Sequence, residues 1–179
     1  MKKYIALLRG INVGGNHILP MKELRTMLEM LGFQEVRTYI QSGNVVFSHD
    51  GQVGVSEMAD RISRQISKEY GFEPRVLLLE LEEMQQAVDS NPFPEAEEEP
   101  KNLHLNFLAA VSSNPNLDEM EKLKKPSEQF ILKDKVFYLY APEGIGRSKL
   151  AAKVEKLLGV SVTGRNWRSV RKIMELAKE

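Results

Sequence analysis

One ordering of hydrophobic spacings occurs twice along the chain, and it limits the fold more than anything else in the sequence. Apolar residues that alternate every second position mark strands, and those recurring at three- and four-residue intervals mark helices. Residues 3–9 read as a strand, and Met21, Leu24, Met27, Leu28 and Leu31 carry a helix closed by Gly32. Phe33–Gln41 and Asn44–Ser48 read as a hairpin turning through Ser42-Gly43. A helix follows with Met58, Ala59, Ile62, Ile66 and Tyr70 on one stripe, and Ser56 is its expected N-cap. Arg75–Leu81 is an aliphatic strand. The order is βαββαβ.

The same order returns after residue 102. Leu103–Val111 reads as a strand, and Leu117, Met120 and Leu123 mark a short helix stopped by Pro126. Gln129–Lys133 and Val136–Ala141 form a hairpin around Asp134. Leu150, Ala151, Val154, Leu157 and Leu158 mark a helix ended by Gly159, and Val160–Thr163 is a short strand. A last helix over 167–178 turns Trp167, Val170, Ile173, Met174 and Ala177 inward. Each copy can lay two helices on one face of a four-stranded antiparallel sheet. The expected class is therefore α+β: two ferredoxin-like subdomains, 1–81 and 103–179, the second with the C-terminal helix. Residues 82–102 join them through a short helix and an acidic, proline-containing linker, Pro94 to Pro100. The halves share no evident sequence repeat, so the duplication is topological. A single mixed sheet of eight strands is the alternative.

Composition removes several kinds of function. No cysteine is present, which excludes disulfides, thiolate catalysis and Cys-based metal centres. The net charge of zero leaves no global field to attract nucleic acid or a membrane surface. The apolar run Tyr4–Leu8 is too short for a signal-peptide core, and no stretch is long enough to span a bilayer. A cytoplasmic protein is the expectation. Charge is nevertheless uneven: residues 143–179 hold nine Lys/Arg against four Asp/Glu. His17, His49 and His104 show no ligand spacing, and neither a metal nor a cofactor is expected. No catalytic residue can be assigned. His104 and Asn106 fall on the strand face opposite Leu103, Leu105 and Phe107, and a solvated face is expected there, with a polar pocket as the alternative.

Four polar segments stand out. Arg9-Gly10-Ile11-Asn12-Val13-Gly14-Gly15 opens a connection longer than such loops need, and adjacent glycines free backbone N–H groups for an anion. It has neither the Walker A nor the G-x-G-x-x-G spacing. Turn chemistry explains Ser42, Gly43 and Asn44 but not Gln41. Gly144 to Lys149 places Arg147, Ser148 and Lys149 at a helix start, with Ser148 as cap. Thr163 to Arg168 is read as a turn opening the last helix, with Asn166 as cap and Arg165 and Arg168 beside it. Cations at a helix N-terminus oppose the dipole, and either solvation, which costs little at a surface, or a bound anion accounts for them. Trp167 is read as a core anchor. Arg9 and Gln41 are expected at opposite ends of the first sheet unless the long loop folds back. The Gly144–Lys149 and Gly164–Arg168 segments are expected to meet.

These motifs carry a resemblance. Ala6-Leu7-Leu8-Arg9-Gly10-Ile11-Asn12-Val13-Gly14-Gly15, Pro20-Met21 and Thr38-Tyr39-Ile40-Gln41-Ser42-Gly43-Asn44-Val45-Val46-Phe47 resemble the N-terminal signature of a bacterial family, Domain of Unknown Function 1697. Ser148-Lys149-Leu150 and Thr163-Gly164-Arg165-Asn166-Trp167 resemble its second signature. One departure is Ser169, where members often carry Thr. The resemblance implies two ferredoxin-like subdomains and no activity. The expected function is binding, with or without turnover, of a small anionic ligand such as a nucleotide. Arg9, Asn12, Gly14, Gly15, Gln41, Asn44, Arg147, Ser148, Lys149, Arg165, Asn166 and Arg168 are the expected ligand-binding residues. The alternatives are a nucleic-acid binder using the basic stripe Arg168, Arg171 and Lys172, and a protein-interaction module.

Overall fold

The computed structural model describes all 179 residues, which divide into two compact units, Met1–Gln86 with Lys172–Glu179 and Ala87–Arg171. Each unit holds one four-stranded antiparallel sheet with helices, and together they make an α+β chain with a duplicated βαββαβ order.

In the first unit β1 (Lys2–Arg9), β2 (Gln34–Tyr39), β3 (Asn44–His49) and β4 (Arg75–Glu80) lie in the order β2-β3-β1-β4. Alternate residues of the central strands share a face. Tyr4, Ala6, Leu8, Val45 and Phe47 face α1 (Met21–Met30) and α2 (Val55–Tyr70), meeting Leu24, Met27, Leu28, Met58, Ile62 and Ile66. Phe33 stacks on Phe47 at 4.5 Å. Burying each such side chain contributes roughly 1.5–3 kcal/mol, so the two helices are held by packing more than by propensity. Helix α2 begins at Val55 with Gly54 as cap, not at Ser56, because its first turn is formed by the Met58 N–H bonding the Gly54 carbonyl. Ile5 and Leu7 are also fully buried, so β1 is covered on both faces. On that second face Lys3 Nζ donates to the Ala177 carbonyl at 2.7 Å, and Arg37 pairs with Glu179. Both contacts hold the end of α6 (Trp167–Lys178), whose last residues group with this unit. Strand β4 runs directly into α3 (Leu81–Asp89).

The second unit repeats the arrangement with β5 (Leu103–Leu108), β6 (Gln129–Lys133), β7 (Val136–Tyr140) and β8 (Val162–Asn166) in the order β6-β7-β5-β8. Leu108, Phe137, Leu139 and Val162 pack on Met120 of α4 (Leu117–Leu123) and on Leu150, Val154 and Leu158 of α5 (Lys149–Leu158). Leu103, Leu105, Phe107 and Tyr138 lie on the other face and are buried too. The Tyr138 hydroxyl donates to the Ala87 carbonyl at 2.6 Å. The acidic segment folds into a short 3-10 helix, Pro94–Glu98, anchored by buried Ala96 while Glu95 and Glu98 stay exposed.

Strand β8 departs from the expected boundaries. Gly164, Arg165 and Asn166 are strand residues opposite Asn106, Leu105 and His104, not a turn. A glycine reads as a breaker, but here it sits in the strand beside Asn106, whose side chain any larger residue would have to displace. A Cβ at Gly164 would lie 2.7 Å from Asn106 Oδ1. His104 and Asn106 oppose Leu139 and Phe137, so they lie on the helix-covered face and not on a solvated one. The alternation was read correctly, but both faces of β5 are covered, so it could not tell inside from outside.

Candidate functional site

In the first unit, the loop after β1 and the hairpin tip are neighbours. Strand β3 runs antiparallel to β1, so its first residue lies beside the end of β1: Leu7 pairs with Asn44, and Leu8 N–H bonds the Gly43 carbonyl at 2.8 Å. The expected separation of Arg9 from Gln41 is therefore overturned by strand direction itself. Asn12 fastens the two segments. Its Nδ2 donates to the Leu19 and Gln41 carbonyls, and its Oδ1 accepts from the Leu19 N–H, each at 2.8 Å. Gly43 allows the close approach, since a Cβ there would lie 2.8 Å from both Leu8 and Ile11. Gly14 and Gly15, with φ of 57° and 76°, make the two-residue turn between Val13 and Asn16. Asn44 is buried and its Nδ2 donates to the Tyr39 carbonyl and Ser42 hydroxyl. Asn12, Gly14, Gly15 and Asn44 thus shape this end of the sheet, while Arg9 and Gln41 present exposed side chains on it. Arg9 is the cross-strand partner of Arg75, also exposed.

In the second unit, the strand register gathers the other segments. Tyr140 and Asn166, the last residues of β7 and β8, pair with Leu103 and His104 at the start of β5. The C-terminal end of α5 is tied to the opposite end of the sheet, where Glu155 accepts from the Val162 N–H. The first turns of α5 and α6 and the two residues before β5, Lys101 and Asn102, therefore share one end. Ser148 caps α5 by accepting from the Ala151 N–H, and Asn166 accepts from the Ser169 N–H at the start of α6. Arg147, Lys149 and Arg168 are exposed and make no ion pair. The nearby carboxylates are engaged elsewhere, Glu99 with Tyr140 and Asn102, and Glu143 with Ser127 and Lys125. Arg165 is different: burial pushes its guanidinium down to about 10, and it donates to the Gly164 carbonyl.

Sequence reasoning missed His104 at this end. Its ring bonds the Lys101 carbonyl, while burial holds its pKa below the ordinary value. The Nε2 atom is buried without a partner. His104 comes to this end because it pairs with Asn166, where β8 runs three residues beyond the expected Val160–Thr163.

The fold places two of the four polar segments at each of these sheet ends. The family described as "Protein of unknown function (DUF1697)" matches residues 1–138. The chain belongs to that family. It is similar along 98% of its length, and 98% of the other chain, to the structure of conserved bacterial protein SP0830 from Streptococcus pneumoniae, with a TM-score of 0.73 and 24% identity. That likeness shows the fold. No curated protein matches the sequence.

Proposed function

We propose that this DUF1697 protein binds a small, multiply charged anion, such as a phosphomonoester, at the end of the second sheet. The observation that carries the reading is the collection of Arg147, Lys149 and Arg168 there, exposed and without ion pairs. They stand at the starts of two helices whose dipoles are already positive. Like charges gathered at helix N-termini repel, and an anion converts that repulsion into attraction. Ser148 and Asn166 fix the two helix starts, and the cations supply the contacts. A small ligand suits the site better than a polyanion. The basic stripe expected on α6 is shortened, because Lys172 pairs with Glu175 at 2.6 Å.

Thermal unfolding with phosphate, nucleoside monophosphates and sugar phosphates tests the reading. A ligand at a hundred times its Kd should add about 2.7 kcal/mol to the stability. The R147Q/K149Q variant should fold normally and lose that shift. A shift of equal size in the variant, or none in the wild type with any of these anions, sinks the proposal.

A further inference from the structure

The turn that leaves β3 joins His49 to Asp50 and Gly51, the one place in the chain where an aspartate precedes a glycine. The main-chain nitrogen after an aspartate can attack the side-chain carboxyl, because closure forms a five-membered imide. A side chain on the following residue hinders that closure, and Gly51 has none. Three contacts converge on the reacting atoms. The Gly51 N–H donates to His49 Nδ1 at 3.2 Å. Asp50 Oδ1 lies 3.1 Å from the same Nδ1 and accepts from the Gln52 N–H at 3.0 Å. The imidazole therefore stands beside both atoms that exchange a proton when the ring closes: the nitrogen that attacks and the oxygen that leaves. It is also held in place. The His49 side chain is only 12% exposed, against 54% for Asp50, and it meets Phe33 edge-on with centroids 5.5 Å apart.

We propose that Asp50–Gly51 is a self-modifying site, at which His49 catalyses dehydration of Asp50 to a succinimide and thence to isoaspartate. The carboxyl reacts in its acid form. The Gly51 nitrogen forms the new N–C bond to Asp50 Cγ, and its proton passes to the Nδ1 lone pair that already accepts from it. Nδ1 hands that proton to Oδ1, which also carries the carboxyl's own. The C–O bond breaks, and Oδ1 leaves as water with the bonding pair. A water molecule then opens the imide at the main-chain carbonyl, so the chain runs through the former side chain. His49 ends as it began, and water is the only co-reactant. The product adds one carbon to the main chain between β3 and α2. The site is independent of the anion site proposed above.

The native protein and a peptide with the sequence of residues 46–54 would be incubated at neutral pH, and succinimide and isoaspartate at position 50 measured by mass spectrometry of proteolytic fragments. The protein should convert about tenfold faster than the peptide, the low side of what a positioned proton-transfer group supplies. Arg61, Ser90, Glu119 and Lys135 follow the other four aspartates, which serve as internal references and should convert far more slowly. H49Q, whose amide oxygen can accept from Gly51 but cannot pass a proton on, should fall to the peptide's rate with an unchanged melting temperature. D50E, which would have to close a six-membered ring, should form no imide. The comparison of protein with peptide decides the matter even where H49Q fails to fold. A protein rate at or below that of the peptide, or a folded H49Q that converts as fast as the wild type, would overturn the proposal.

Discussion

At the hairpin tip of the first unit, a single side chain shows how the family motif trades stability for shape. Ile40 has φ of 48° and is 49% exposed, beside a glycine at position 43 that turns at 84°. A β-branched residue in this left-handed region is an outlier, because its Cβ crowds the following carbonyl. Burial returns little of that cost. Asparagine tolerates the conformation through its short polar side chain. The I40N variant should therefore be more stable than the wild type, by about 0.5–1 kcal/mol in urea unfolding. A loss of stability instead would mean that the exposed isoleucine packs against something at this tip. Asn12, by contrast, adopts φ of 53° with a residue type suited to it and gains three hydrogen bonds.

Elements were legible wherever one spacing ran unbroken, and illegible where a residue's neighbours decided its place. The stripe of α6 was readable from Trp167 to Ala177, and all five of its apolar positions are buried. Strand β8 was cut short because Gly164 and Asn166 read as turn residues, whereas their places are set by Asn106 and His104 on another strand. The clash that selects glycine at 164 is with the tip of one side chain, so it can be undone. G164A should lower stability by about 1–3 kcal/mol. Shortening the neighbour in G164A/N106A should recover part of that loss, a coupling that unfolding of all four proteins would reveal. Strict additivity would show that Asn106 is not what excludes a side chain at 164.

Across the whole molecule the duplicated order was legible, because each strand and helix kept its own period. The sheet ends were half legible. Ser148 and Asn166 were recognised as caps from residue type, but which loops share an end follows from strand direction, as Arg9 and Gln41 show. Half-buried His104 on β5 and buried Tyr138 on β7 carry this pairing into the pH dependence of global stability. His104 is held below its ordinary value of 6.5 by burial. As pH falls below 6.5 the unfolded chain takes up this proton before the folded one does, so stability is full above 6.5 and declines on acidification. Tyr138 is pushed up to about 12, first by burial and then by Asp134. Between pH 10 and 12 the unfolded chain gives up the phenol proton while the folded one keeps it, so stability declines as pH rises through that window. Two units of displacement correspond to about 2–3 kcal/mol. Y138F should be less stable at neutral pH by about 1 kcal/mol, because the Ala87 carbonyl loses its donor. In return, its stability should fall less steeply above pH 10. Urea unfolding from pH 5 to 11 reads both limbs, and an alkaline limb of equal slope in Y138F would show that Tyr138 ionisation does not set it.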